Sequence, residues 1–379
     1  MSTFPSASIN IRPAHYGDLE TIERLQRDGQ LNDFALPDHA DFDRADDLFG
    51  LTKLTSWLPI PWQHMFRLHV AEQNGQVVGF IKVAPINSSH STWQIERIAT
   101  VASASMQKVG TQLIRCCLDS CWEARTWVAE ADVNEKDAIA LYRQNGFQPL
   151  AQLTEWEISA ELLTELAQNQ AALPNLMSVN NADASLLYQL DTASMPPQIR
   201  QVYDLGPNDF RQNLVEGLLD YAQQMLNTAT EIKAYVYEPQ RKAAIGYFLL
   251  QPGQANGNNG HKCQLTVHPA HTWLYPELIT KVAQILTQQK IADSEEAIGL
   301  LVSSADYQPE REAYLEQVKA KPVRYSLMMA RSVWHKVRET RSALDSFQLS
   351  QMLSGLQPNQ KPVPGRIDMM PPNPPEDLG

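Results

Sequence analysis

The chain repeats itself. The segment AYVYEPQRKAAIGYFLLQP at 234–252 copies HVAEQNGQVVGFIKVAP at 69–85, and Gly246 answers Gly79. LTVHP at 265–269 then stands in the place of IATVA at 98–102, with the same offset. A copy of this kind commits the chain to two units of one fold in tandem. With 379 residues there is enough chain for a core in each.

In the first half the pattern alternates strands and helices. Ile9–Arg12 reads as a strand closed by Pro13, and Leu19, Ile22 and Leu25 carry helical spacing over Asp18–Leu25. Phe66–Glu72 and Gln76–Val83 flank Asn74-Gly75, a type I′ hairpin signal. Strands are expected at 93–101, 126–132 and 152–158, and helices at 106–122 and 137–145. The order predicts an α+β fold, an α/β-like mixed sheet flanked by helices. Residues 29–65 carry an acidic block (Asp38, Asp41, Asp43, Asp46, Asp47) and read as loop and helix.

Ile98–Leu113, IATVASASMQKVGTQL, is the stretch with the most chemical content. A β-branched run enters small residues, then Lys108 and Gly110, then the helical pattern Leu113, Ile114, Cys117, Leu118. Strand, turn and helix N-terminus in this order suit an anion, because the first helical turn has unpaired N–H groups and partial positive charge. Gly110 is read here as room for a ligand to approach the backbone. Such turns also occur without any ligand.

Composition narrows the classes. The net charge of −12 argues against a nucleic-acid binder. No apolar run is long enough to span a bilayer, so no membrane partner is expected. The first residues have neither a basic start nor an apolar core, so the expected compartment is the cytoplasm. Cys116, Cys117 and Cys121 share one helix and Cys263 lies in a strand; no metal set is completed, and no metal is expected.

With IRPAHYGDLETIERL, the turn just described and NEKDAIALYRQNGF in hand, residues 8–159 resemble the GNAT superfamily of N-acetyltransferases. The last segment carries the family's Asn, Ala, Tyr, Gly-Phe motif as Asn134, Ala138, Tyr142 and Gly146-Phe147, with Asn134 one residue further from Ala138 than usual. In the turn, aligning Gly110 with the family's last Gly puts Ser105 at its basic position; a second register starts at Gln107 and ends on Gln112.

The resemblance implies acetyl-CoA as co-substrate, held in a splay between the strands at 93–101 and 126–132. The backbone of Ile98 and Thr100 would pair with the pantetheine arm. Ser105, Lys108, Val109, Gly110 and Thr111 would hold the pyrophosphate, and Asn134 and Tyr142 complete the cofactor site. Tyr142 is the acid candidate for the departing thiolate. Glu96 is the base candidate, read as sharing the face of Gln94, Ile98 and Thr100 by strand parity; Glu130 and Asp132 are alternatives. His69 and His90 could also serve, but a lone His near a strand is more often structural, and both are left out. The expected acceptor is a small-molecule amine or a peptide N-terminus. The alternative is a non-catalytic module that binds acyl-CoA or a protein.

The expected boundaries are a GNAT acetyltransferase domain at 1–160, a linker helix at 161–176, a degenerate GNAT-like domain at 177–337, and a tail at 338–379. In the second half Tyr275 and Glu277 replace Lys108 and Gly110, with Pro276 between them. The tail combines a short amphipathic pattern (Leu344, Phe347, Met352) with Pro358, Pro362, Pro364 and further prolines. It reads as disordered, with a docking role toward a protein partner as the alternative.

Overall fold

A computed structural model describes residues 8–33, 66–211, 231–253, 260–293 and 298–333. The acidic block at 38–47 and the Pro-rich tail lie outside the described residues. The first half runs β1 (Asn10–Pro13), α1 (Tyr16–Arg27), β2 (Leu31–Asp33), β3 (Arg67–Gln73), β4 (Gln76–Pro85), β5 (Thr92–Val101), α2 (Met106–Ser120), β6 (Thr126–Asp132), α3 (Lys136–Gln144) and β7 (Gln148–Ile158). After α4 (Ala160–Ala167) the second half runs β8 (Leu176–Ser178), α5 (Ala184–Ser194), α6 (Pro197–Tyr203), β9 (Ile232–Glu238), β10 (Ala243–Gln251), β11 (His261–Val267), α7 (Leu274–Asp293), β12 (Leu300–Ala305), α8 (Pro309–Gln317) and β13 (Lys321–Ser332).

Local chemistry explains the main elements. Asn74 and Gly75 both take positive φ, 54° and 78°, as the β3–β4 hairpin turn requires. Ser105 caps α2 by accepting the Lys108 N–H at 3.4 Å. Val109, Leu113, Ile114, Cys117 and Leu118 form the buried stripe of α2. Gly146, with φ of 82°, ends α3; Phe147 N–H reaches Tyr142 O and Gly146 N–H reaches Arg143 O, the paired bonds of a Schellman stop. The same two bonds end α8, from Ala320 to Leu315 and from Lys319 to Glu316.

The strands form one sheet in the order β1-β3-β4-β5-β6-β13-β7-β12-β11-β10-β9-β8, with β2 paired to β5 off that path. The repeat is visible in its register. Gly79 faces Thr100 and Gly246 faces Val267, so the offset read from the sequence also holds across the ladder. Each half has one parallel pair that soon parts. β5 and β6 pair only from Thr92↔Thr126 to Ile95↔Ala129, and β11 and β12 only from His261↔Leu300 to Cys263↔Val302.

The two halves exchange their last strands. β13, from the second half, lies between β6 and β7 and pairs antiparallel with both. β7, from the first half, pairs with β12 on its other edge. Helices α2 and α3 bury their apolar faces on the first half's strands around Ile98, Leu113, Tyr142 and Phe147, together with Met329 of β13. Ile22 of α1 packs on the opposite face with Val70, Phe80 and Ala99. α7 forms the second core with Phe248, Leu265 and Val302. Ile199 of α6 crosses over to pack on Val128 of β6. The loop before β5 is tied to the segment after α6: Thr92 Oγ1 donates to Val202 O at 2.7 Å, and Ser91 Oγ to Asp204 Oδ2 at 2.7 Å. No helix among the described residues is long and apolar enough to cross a membrane.

Candidate active site

The site begins where β5 leaves β6. A β-bulge sits there, with Lys82 opposite Arg97 and Val83 opposite Ile95, so Glu96 is the extra residue. The bulge reverses the strand's parity. Ile95 and Ile98 both enter the core under α2, whereas Ala99 joins the core under α1. This corrects the face assignment read from simple alternation. Glu96 does not share the face of Ile98 and Thr100; it turns toward Lys82, whose Nζ lies 2.8 Å from its Oε2.

Tyr142 projects from α3 into the buried end of the splay, with its ring 5.6 Å from that of Phe147. Burial pushes its hydroxyl well above the ordinary phenol value, and the Asp33 and Glu130 carboxylates add to the shift. The hydroxyl therefore keeps its proton at neutral pH and is available as a donor. Glu130 accepts a hydrogen bond from the Ser326 hydroxyl, a residue that β13 brings from the second half. Asp132 is engaged at the strand end, where its Oδ1 accepts from Asn134 N–H at 2.8 Å and from Asn134 Nδ2 at 2.9 Å. Arg331 of β13 donates to the Asn145 carbonyl at the end of α3. Beside Asp132 lies a cavity of about 430 Å³, lined also by Glu155, Glu157, Leu301 and Arg324.

The N-terminus of α2 lies at the outer end of β5. Lys108 N–H is taken by the Ser105 hydroxyl and Val109 N–H by the Ser105 carbonyl. Met106 and Gln107 hold the remaining first-turn N–H groups, and Lys108 is exposed beside them. Val109 points inward, against the position of a Cβ on Gly79 at 3.1 Å. Thr111 accepts from Asn145 Nδ2 at 3.3 Å, which links α2 to α3.

Gly110 serves packing. A Cβ there would lie 2.8 Å from Leu141 Cδ2, so the missing side chain lets α3 approach α2. This replaces the reading of Gly110 as room for a ligand. Gly110→Ala is expected to lose about 1–2 kcal/mol of stability, since overpacking against fully buried Leu141 outweighs the gain in helix propensity. A urea denaturation midpoint at or above that of the wild type would contradict this packing role.

His69 and His90 each lie against another side chain. His69 is buried, with Nδ1 3.7 Å from Cys117 Sγ, and burial pushes its pKa down. His90 packs edge-on against Trp93. Burial pushes the Cys117 and Cys121 thiols up, Cys121 to about 11. No cluster able to hold a metal ion occurs among the described residues.

Sequence reasoning missed the Arg97–Asp33 pair. Arg97 is only 3% exposed, and its Nε donates to Asp33 Oδ2 at 2.7 Å. Its Nη1 donates to Gln26 Oε1 at 3.1 Å. The pairing needs both the bulge, which turns Arg97 inward, and the short β2, and neither has a periodicity signal.

The family model for the acetyltransferase (GNAT) domain matches residues 64–149. That span holds β3 to α3, including the bulge, the splay and Tyr142. Among solved structures, a tandem GNAT protein from the clavulanic acid biosynthesis pathway superposes with a TM-score of 0.54 at 13% identity, covering 87% of this chain and 100% of its own. The chain has the tandem GNAT fold. A putative acetyltransferase from Pyrococcus horikoshii superposes with a TM-score of 0.50 at 11% identity, covering 88% of this chain and 92% of its own. No curated protein matches the sequence. A GNAT acetyltransferase domain in the first half supports acyl transfer as the reaction class.

An acyl-CoA fits the GNAT opening of the first half on two counts: donors at the start of α2, and a splay with a protonated phenol at its buried end. One segment, Gln30–Asp33, lies along the edge of β5 that the pantetheine arm would use.

Proposed function

We propose that the first half is an acetyl-CoA-dependent N-acetyltransferase acting on a primary amine, either a small molecule or a peptide N-terminus. The observation that carries this reading is the parting of β5 from β6 at Ile95↔Ala129, with Tyr142 buried beside it. When bound, acetyl-CoA supplies the activated acetyl thioester. Tyr142 would hold a proton for the departing thiolate. Glu96, partly exposed on the α1 side of the bulge, would accept one from the amine, directly or through water. In the cavity beside Asp132, Glu155 is paired with Arg324 at 3.1 Å, and the carboxylates of Asp132 and Glu157 suit an acceptor that enters as a cation.

The test is thiol release from acetyl-CoA with a panel of amines and basic peptides. Amine-dependent release supports the reading. Binding of coenzyme A without release by any acceptor would favour the non-catalytic module. In an active pairing, Tyr142→Phe is expected to lower kcat about a hundredfold with little change in KM for acetyl-CoA. An unchanged kcat would reduce Tyr142 to a packing residue.

A further inference from the structure

We propose that Gln30–Asp33 is a built-in competitor for the cofactor, a strap that occupies the pantetheine edge of β5 and must leave before an acyl-CoA can bind. The inference rests on the acyl-CoA reading above.

Above the parting from β6, the edge of β5 that β6 has vacated is occupied. β2 lies along it, with Leu31 opposite Val101, Asn32 opposite Thr100 and Asp33 opposite Ala99. Ala102 N–H donates to Gln30 O at 3.0 Å, which fixes the phase of the ladder. In an antiparallel pair every second residue turns its N–H and C=O to the same neighbour. Thr100, two residues before Ala102, therefore exchanges its backbone bonds with Asn32. The other edge of β5 is closed by β4, where Gly79 faces Thr100. The backbone groups of Thr100 cannot serve β2 and a pantetheine amide together.

The strap is pinned at its end. Asp33 receives the Arg97 guanidinium, and Arg97 is buried, held also by Gln26 and stacked over Phe80 with its Cζ 5.4 Å from the ring centroid. The pair ties β2 to the residue that follows the bulge. Departure of the strap costs that ion pair and the β2 ladder, and binding of the cofactor restores only the ladder. The strap thus lowers apparent affinity by the fraction of chains in which it is open.

Two measurements test this on the full chain. The first is calorimetric affinity for coenzyme A. Asn32→Pro removes the N–H that the ladder needs and is expected to tighten binding about tenfold; Asp33→Asn, which keeps the backbone, is expected to tighten it about threefold. The second is amide hydrogen exchange on the wild type, where saturating coenzyme A should speed exchange at residues 31–33. Equal affinities in all three proteins, with exchange at 31–33 unchanged or slowed by bound ligand, overturn the strap and leave the cofactor reading standing. Failure of coenzyme A to bind any of the three overturns both. Binding to the variants alone supports a strap that closes the wild-type site.

Discussion

A chain ending at Ala320 is expected not to fold in either half. Of the described strands and helices it lacks only β13, which is central in the sheet. β13 pairs with β6 from Ser326↔Asp132 to Ser332↔Thr126, and with β7 along the other edge. Met329 is fully buried in the core under α2 and α3, and Met328 is nearly so on the opposite face with Val128 and Ile199. Removing the strand would bare two interior edges and empty both faces at once. Buried methionines lost in this way cost about 2–5 kcal/mol each, before any hydrogen bond is counted. Domain stabilities are about 5–15 kcal/mol. For the same reason a fragment of residues 1–160 should not fold as an autonomous acetyltransferase domain, because its β6 would meet no partner beyond Ala129. Far-UV circular dichroism and urea titration of the two truncations test this. A cooperative transition in either, or coenzyme A binding by the 1–160 fragment, would show that the exchange is not required.

What was legible beforehand follows from what local chemistry encodes. The hairpin at Asn74-Gly75, the stripe of α2 and the end of α3 near Asn145 each depend on a few adjacent residues, and each is legible in the sequence. The repeat offset carried the ladder register as well, because two copies that share a fold share their pairing. The strand exchange was not legible. β13 carries the apolar run Leu327-Met328-Met329-Ala330, which fits a strand covered on both faces but does not name its neighbours. The bulge at Glu96 escaped for a related reason: an extra residue reverses parity without changing composition. Gly110 stands out in the sequence, yet its role depends on Leu141 in another helix. A glycine marks close approach but does not say what approaches.

Titration of the full chain with coenzyme A should give a stoichiometry near one, and Arg311 provides the main reason. The second half parts its strands as the first does, after Cys263↔Val302. There the opening is stapled. Arg311 reaches from α8 and donates through Nη2 to Leu265 O on β11 and through Nη1, at 2.9 Å, to Ser303 O on β12. Its guanidinium stacks over Tyr275 at 5.6 Å, and the residue is 5% exposed. The shared helix stops align Lys319 with Gly146, which places Arg311 at the position of Ala138 and Leu315 at that of Tyr142. The methyl group of Ala138 does not bridge the strands of the first opening, whereas the Arg311 guanidinium ties together those of the second. The phenol has no counterpart there. At the helix start, Glu277 accepts the Ala172 N–H of the linker, and Leu274 lies 3.0 Å from where a Cβ on Gly246 would be. Glu277 thus places a carboxylate in the first turn of α7, where an anion would otherwise meet the helix start.

Arg311→Ala should therefore act on stability and leave the first half's cofactor affinity unchanged. It leaves the buried Leu265 carbonyl and the part-buried Ser303 carbonyl without this donor and opens a void between the strands, at a cost of about 3 kcal/mol. Arg311→Lys should recover only part of that, because an ammonium lacks the planar fork that spans both strands. Thermal melts of the two variants, with calorimetry at a fixed temperature below both transitions, separate the effects. A stoichiometry of two in the wild type, or an Arg311→Ala protein as stable as its parent, would mean that the second opening is not held shut by this side chain.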